Sequence, residues 1–271
     1  MRRLSTLLAP PARAQKAGKE GQDEKQKKQA DQKKPLDSGK RVSAFLKASV
    51  EEQKGMLAEL VKDFTARKGK LERADADLVM DLAQALESGN KAMATAVYRD
   101  LGKALTQADD AKVAALGRLL EGSARRINLV GTPMTVAGKT LAGKEVNLKD
   151  YRGKVVLVDF WATWCGPCIA EVPNVKNLYK QYHDKGFEVL AVCVDPNKAA
   201  LETFLAGNKL PWVCIHDVPG DKSLSDQYGV LFLPLPILVD REGRVVSMSA
   251  RGPELEQLLE KHLGGKENKG T

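Results

Sequence analysis

The chain lacks an apolar run long enough to span a membrane. Its notable uncharged stretch, Tyr228 to Val239, falls far short of the ~20 residues that a transmembrane helix requires, and it contains two prolines. Residues Met1 to Ala14 have a basic start and an Ala-Arg-Ala ending, as a cleavable export signal would. Their apolar middle is short and broken by proline. Two interpretations therefore remain: this segment is a cleavable signal, or the start is misassigned and the true signal lies upstream.

Metal-binding side chains are also scarce, with 3 histidines and 4 cysteines in 271 residues. His216 follows Cys214 closely, but the histidines are scattered, so we predict no metal site and no cofactor. Cys193 and Cys214 each lie in a strand-like apolar run, which predicts buried and unreactive thiols. The cysteine count alone does not fix the redox compartment.

Acidic residues are few at the N-terminus compared with basic ones, and residues 1–41 carry +7 of the formal net charge of +8. The remaining chain is nearly neutral, which argues against a folded surface that binds nucleic acid. Residues 1–40 hold almost no large apolar side chains after Leu8, so we predict a disordered basic tail. This tail is either a solvated leader or a peripheral contact with an anionic membrane or a partner.

Residues 41–126 are predicted to form a small helical domain. Apolar residues recur at helical spacing, for example at Met93, Val97, Leu101 and Leu105. We expect breaks between helices at Gly69, at 88–90 and at Asp109-Asp110, where an aspartate could also cap the next helix. No catalytic cluster of residues is evident here, so the sequence favours a bundle with a structural or docking role.

Residues 127–265 alternate strand and helix patterns, and a flexible C-terminus is expected at 266–271. The expected strands are Met134–Ala137, Glu145–Leu148, Val155–Phe160, Phe187–Val194, Trp212–Ile215, Pro236–Val239 and Val245–Met248, and the expected helices are Pro167–Tyr182, Ala199–Ala206 and Pro253–Leu263. Alternating elements followed by antiparallel strands predict an α/β domain with a mixed sheet.

Two cysteines two residues apart, Cys165 and Cys168, stand where the strand ending at Phe160 gives way to a helix. The first thiol would lie at a helix N-terminus, where partial positive charge stabilises a thiolate. The second lies within about one helical turn, close enough to form a redox disulfide with the first. Gly166 and Pro167 between them favour a tight turn and a helix start.

The segment Val158-Asp159-Phe160-Trp161-Ala162-Thr163-Trp164-Cys165-Gly166-Pro167-Cys168 resembles the active site of the thioredoxin superfamily. The lead-in Gly153 to Val156 and the Glu-x-Pro at Glu171 to Pro173 resemble its TlpA/ResA-like branch. A hairpin over Gly131 to Leu148 and an inserted strand and helix within Val189 to Asp217 also fit that branch. The resemblance implies a thioredoxin-like fold, a central mixed sheet flanked by helices with an N-terminal hairpin extension, preceded by a small all-α region.

The same resemblance implies a cis-proline facing the disulfide, for which Pro234 and Pro236 are the two candidates. The family spacing to Asp240 and Gly243 selects Pro234. Leu233 would then offer its backbone to an extended substrate, in the manner of an added strand. Pro236 departs from the family, which more often has threonine or another strand former there. A proline lacks the strand N–H, which puts the local pairing in doubt.

Residue roles follow from the resemblance. Cys165 would attack a substrate disulfide and Cys168 would resolve the mixed disulfide, while Trp164, Gly166 and Pro167 would shape the surface that meets the substrate. Asp159 would be a buried carboxylate that exchanges protons near neutral pH, or else a solvent contact at a strand end. Glu171 would be a second catalytic carboxylate, or else an exposed residue of the helix.

The Gly-Pro pair between the cysteines resembles reducing thioredoxins, whose potential is ~−270 mV against ~−120 mV for a strong oxidant, a difference of about 7 kcal/mol. We therefore predict a protein disulfide reductase. A peroxiredoxin-like peroxidase is one alternative, but its Pro-x-x-x-Thr-x-x-Cys pattern is not matched. A non-enzymatic protein that uses both halves of the chain as binding modules is the other alternative.

The resemblance also implies partners and a setting. The partners would be disulfide-bearing proteins and an upstream electron donor, either thioredoxin-like or a thiol carrier in a membrane. Members of the branch commonly maintain extracytoplasmic thiols, including those of apocytochromes and metal sites. The expected location is therefore periplasmic or membrane-facing in a bacterium, with the cytoplasm as the alternative.

Overall fold

The computed structural model describes residues 38–67, 70–218, 220 and 223–264. The signal-like segment 1–14, most of the basic tail, Gly69 and the C-terminus at 266–271 lie outside the described residues. No helix among the described residues is both long enough and apolar enough to cross a bilayer.

The first five helices are α1 Ser38–Lys47, α2 Val50–Ala66, α3 Arg73–Gly89, α4 Lys91–Thr106 and α5 Ala111–Arg126. The predicted break at 88–90 is present, because the Asn90 side chain accepts a hydrogen bond from the backbone N–H of Met93 and starts α4. Asp110 caps α5 in the same way. Two features were not predicted: α1 begins at Ser38, ahead of residue 41, and a break before Ser49 separates α1 from α2.

The contacts within the chain divide it into two compact units, one reaching to Ala114 and the other running from Ala115 onward. In the first unit α1 packs against α2 and α3, and α4 packs against α2 and α3. The division falls within α5, and the domain boundary at residue 126 stays a prediction.

The second unit contains the sheet. Its elements are β1 Ala137–Lys139, β2 Glu145–Asn147, β3 Val155–Trp161, α6 Gly166–Tyr182, β4 Phe187–Cys193, α7 Lys198–Asn208, β5 Val213–His216, α8 Leu224–Tyr228, β6 Leu235–Val239, β7 Val245–Ser247 and α9 Gly252–Leu263, with short 3₁₀ helices at Leu148–Tyr151 and His183–Lys185. The predicted hairpin is present as β1 and β2, but its first strand begins at Ala137 rather than Met134. Helix α8 was not predicted.

The main sheet has the order β5-β4-β3-β6-β7. β3, β4 and β5 are parallel, whereas β6 and β7 are antiparallel to their neighbours, so the predicted mixed thioredoxin-like sheet is confirmed. β3 and β4 are central and apolar almost throughout, as strands covered on both faces must be.

Alternate side chains of β3 enter different cores, because successive strand residues point to opposite faces. Val156, Val158 and Phe160 pack with the hairpin and α8. Val155 and Leu157 pack with α6 and α9. Asp159 lies two residues after Leu157, so its side chain is on the same face of β3, the face covered by α6 and α9.

Pro236 does not interrupt the sheet. It lies opposite Asp159 in the β3–β6 ladder, and the register runs unbroken from Val156 with Val239 to Phe160 with Leu235. The Pro236 carbonyl accepts the backbone N–H of Ala250 at 3.2 Å. The doubt about local pairing raised by this proline is thereby removed.

Candidate active site

Cys165 is the N-cap of α6, and its sulfur accepts the backbone N–H of Cys168 at 3.3 Å. The two cysteines form a disulfide with their Cα atoms 5.3 Å apart. Helix α6 starts here because a β-region cap is followed by glycine and proline, and the missing proline N–H costs nothing in a first turn. In the reduced protein the partial positive charge of the α6 N-terminus would act on the Cys165 thiolate.

Exposure does not separate the two sulfurs, since each cysteine is 5% exposed. Their surroundings do. Cys165 follows Trp164, which is 50% exposed, and precedes Gly166 and Pro167, which are also exposed. Cys168 lines a small, partly open cavity. The geometry therefore favours Cys165 as the sulfur that meets substrate.

Pro234 and Leu233 lie beside the disulfide. The Leu233–Pro234 peptide bond is cis, the isomer expected from the family spacing. Leu233 is partly buried against the apolar cluster that contains both active-site cysteines. Pro234 lines the same cavity as Cys168. The structure thus brings the predicted platform and the dithiol together.

The cavity behind Cys168 measures about 10 Å³, room for about one water molecule. Its polar wall is formed by Asp159, Glu171 and Arg251, and its apolar wall includes Pro236. Asp159 is half-buried at this point, in the interior of β3 and not at a strand end. Because Cys168 and Asp159 both line this cavity, a water held there could carry a proton between them.

Two effects make Asp159 harder to ionise. Burial first, and the negative charge of Glu171 second, raise its pKa from the ordinary 3.8 to about 7. A carboxyl group with that pKa can both accept and release a proton at neutral pH, as general acid–base chemistry requires.

Glu171 is half-buried and is held in place by two hydrogen bonds. Its Oε1 accepts the backbone N–H of Gly252 at 2.8 Å and the side-chain amide of Asn174 at 2.7 Å. Gly252 is the first residue of α9, so the carboxylate lies where a helix favours negative charge. Glu171 therefore ties α6 to α9 and brings its charge to the cavity wall.

The active-site loop has an anchor that the sequence did not reveal. The Thr163 hydroxyl donates a hydrogen bond to Oδ2 of Asp195, a residue only 2% exposed. The other oxygen of Asp195 accepts the backbone N–H of Asn197 at 2.9 Å. An aspartate just after a buried strand was the available signal, but the sequence gives no reason to pair it with Thr163.

Cys193 and Cys214 are buried free thiols. Burial, as the largest cause, raises the pKa of each to about 12. Such thiols are protonated at neutral pH and react slowly. The described residues contain no group of histidine, cysteine and acidic side chains that could hold a metal ion.

Known proteins match the part of the chain that carries this site. The Redoxin family matches residues 129–260. The thiol-disulfide oxidoreductase ResA of Bacillus thuringiensis subsp. konkukian (strain 97-27) is 36% identical over 123 residues, which cover 45% of this chain and 69% of that protein. This chain belongs to the ResA/TlpA-like branch of the thioredoxin superfamily.

Further relatives are similar over the same extent. ResA of Bacillus subtilis (strain 168) is 34% identical over 121 residues, which cover 45% of this chain and 66% of that protein. The crystal structure of the thioredoxin domain of a thiol-disulfide oxidoreductase from Bacteroides vulgatus is 31% identical, has a TM-score of 0.45 and covers 49% of this chain and 97% of that domain. The ResA-like domain makes this chain a thioredoxin-like thiol-disulfide oxidoreductase.

Proposed function

We propose that this ResA-like protein reduces disulfides in other proteins with the Cys165–Cys168 dithiol. The observation that supports this most is the cavity behind the dithiol. Cys168 and Asp159 both line it, and a carboxyl group with a pKa of about 7 suits proton exchange at neutral pH. The Gly-Pro pair between the cysteines supports the reducing direction.

The cycle has two exchanges. In the first, the Cys165 thiolate attacks one substrate sulfur, the substrate S–S bond breaks, and the other substrate sulfur leaves as a thiolate. In the second, Cys168 gives its proton to Asp159 and attacks the Cys165 sulfur, which releases the remaining substrate thiolate. The substrate gains two electrons and the protein is left with the Cys165–Cys168 disulfide. An electron donor must then reduce it again.

Substrate recognition is assigned to the surface around Cys165. Trp164, Gly166 and Pro167 provide the exposed contact area. The backbone of Leu233 would pair with an extended substrate segment as an added strand does, beside Pro234. Both features suit a polypeptide substrate.

The proposed setting is the extracytoplasmic side of a bacterial membrane, with a thioredoxin-like protein or a membrane thiol carrier as electron donor. The support is the branch of the superfamily to which the chain belongs. A peripheral membrane contact through the basic tail remains part of this proposal. The domain boundaries 41–126 and 127–265 are likewise proposed.

Trapping tests the assignment of the two sulfurs. The Cys168→Ser variant should accumulate mixed disulfides on Cys165, because the resolving thiol is gone, and the wild type should reduce insulin with dithiothreitol as donor. A variant that lacks both cysteines is the matched control and should trap nothing. Adducts only on Cys193 or Cys214 would refute the assignment.

The alternatives give different results in the same experiments. Peroxide turnover that survives Cys168→Ser would favour a peroxidase. The absence of dithiol turnover with every standard donor would favour a binding protein. The direction is tested by equilibration with glutathione, where the potential should lie nearer ~−270 mV than ~−120 mV.

A further inference from the structure

The C-terminal half of α5 lies unusually close to the turn that ends α8. A Cβ atom added at Gly122 would come within 2.1 Å of the Asp226 carbonyl oxygen and 2.4 Å of the Gly229 nitrogen. A Cβ atom at Gly229 would lie 2.0 Å from the Ser123 nitrogen, and Gly229 also has a φ of +57°. Backbone atoms cannot yield as a flexible side chain can, so the contact requires glycine on both sides.

Two side chains of α5 reinforce this contact. The Ser123 hydroxyl, which is fully buried, donates a hydrogen bond to the Gly229 carbonyl oxygen at 2.9 Å. Arg118 Nε lies 2.7 Å from Oδ2 of Asp226, whose side chain is only 10% exposed. A charge-assisted bond to a nearly buried carboxylate is stronger than an exposed ion pair.

The turn held in this way leads directly into the proposed substrate platform. Val230 and Leu231 follow Gly229 and are buried, and the cis Leu233–Pro234 bond comes next. Tyr228, just before the turn, hydrogen-bonds the backbone of Thr135 through its hydroxyl. Only the four residues 230–233 separate Gly229 from Pro234.

Helix α5 ends at Arg126, whereas the Redoxin family match begins at residue 129. The contact with the turn is therefore made by a part of this chain that the family match does not include. We propose that Gly122, Ser123 and Arg118 are positioning residues for substrate binding, which fix the Asp226–Gly229 turn and through it the Leu233–Pro234 platform. This inference rests on the proposed function, in which the platform binds an extended protein substrate.

Gly122→Ala in the full chain tests the proposal. The added methyl group should displace the turn and raise KM for insulin about tenfold, with kcat within about twofold of wild type. The rate of Cys165 with 5,5′-dithiobis(2-nitrobenzoate), a small disulfide that has no main chain to pair, should stay within about twofold. Gly55→Ala is the matched control, because Gly55 is also a helix glycine but has no atom within 4 Å of an added Cβ.

The outcomes separate the possibilities. A merely structural role would lower the active fraction and so reduce the rates with insulin and with the small disulfide equally. Either that result or unchanged insulin kinetics would overturn the proposal. If Gly122→Ala does not fold, Arg118→Gln is the second test. It should raise KM for insulin about threefold and leave kcat within about twofold of wild type. If the wild type itself does not reduce insulin, the proposed function fails, and the positioning role fails with it.

Discussion

The Asp159→Asn substitution should stabilise the protein at neutral and alkaline pH. The folded state raises the pKa of Asp159 from 3.8 to about 7, so folding is linked to proton binding. The shift is roughly 3 units, and at ~1.4 kcal/mol per unit the ionised carboxylate costs about 4 kcal/mol of folding free energy. Partial exposure of the side chain through the cavity makes that figure an upper bound, and we expect about 2–4 kcal/mol.

The sign follows from which state holds the proton. Well below pH ~4 the carboxyl group is protonated in the folded and unfolded protein alike, so wild type and variant should be about equally stable. As pH rises from about 4 to about 7, the unfolded state loses its proton first and the wild type loses stability relative to Asp159→Asn. Above that range the difference should remain constant. The other groups at the cavity, Cys168, Glu171 and Arg251, are unchanged in the comparison.

Guanidinium unfolding followed by tryptophan fluorescence measures this difference. All 3 tryptophans of the chain lie in the unit that begins at Ala115, so the signal reports on the unit that contains Asp159. Both proteins are kept oxidised and compared from pH 4 to pH 8.5. Glu256→Gln, an exposed position on α9, is the control. A stability difference between Asp159→Asn and wild type that does not grow with pH would refute the proposed burial of the carboxylate.

Two further substitutions should lower the pKa of Asp159. Glu171→Gln removes the adjacent negative charge while its amide oxygen can still accept the Gly252 N–H, so the pH at which Asp159→Asn gains its advantage should move below 7 in that background. Unfolding curves of the single and double variants at several pH values give the pH midpoint of this stability difference. A pH midpoint that Glu171→Gln does not change would contradict the contribution of Glu171. Pro236→Thr places a hydroxyl donor opposite Asp159, and because such a donor favours the ionised carboxylate it should lower the same pH midpoint. Pro253→Thr, at the exposed start of α9, is the control and should leave the pH midpoint unchanged.

The parts of the site that were predicted from the sequence depend on neighbours along the chain. The apolar run of β3, the dithiol and the start of α6 are contiguous, and each has a local physical reason. The cis-proline was implied by the family resemblance, and the family spacing to Asp240 and Gly243, in the turn after β6, selected Pro234. Local patterns of this kind carry enough information to locate a strand, the turn after it and the helix that follows.

The parts that were missed depend on contacts between distant residues. Glu171 meets Gly252, a residue 81 positions away, and Thr163 meets Asp195 across 32 positions. Nothing beside either residue in the chain indicates its partner. Gly122 reads as an ordinary helix glycine until the turn at Gly229 is seen against it. The five-residue helix α8 was missed because so short a segment shows little periodicity.

The departure of Pro236 from the family pattern has a chemical meaning once the cavity is described. A threonine at that position could present a hydroxyl donor to the carboxylate of Asp159, and such a donor favours the charged form. Proline presents only an apolar ring to the cavity and has no N–H of its own. The residue that raised a doubt about strand pairing thus helps to keep the surroundings of Asp159 apolar, and burial in those surroundings is the main reason that its pKa is raised to about 7.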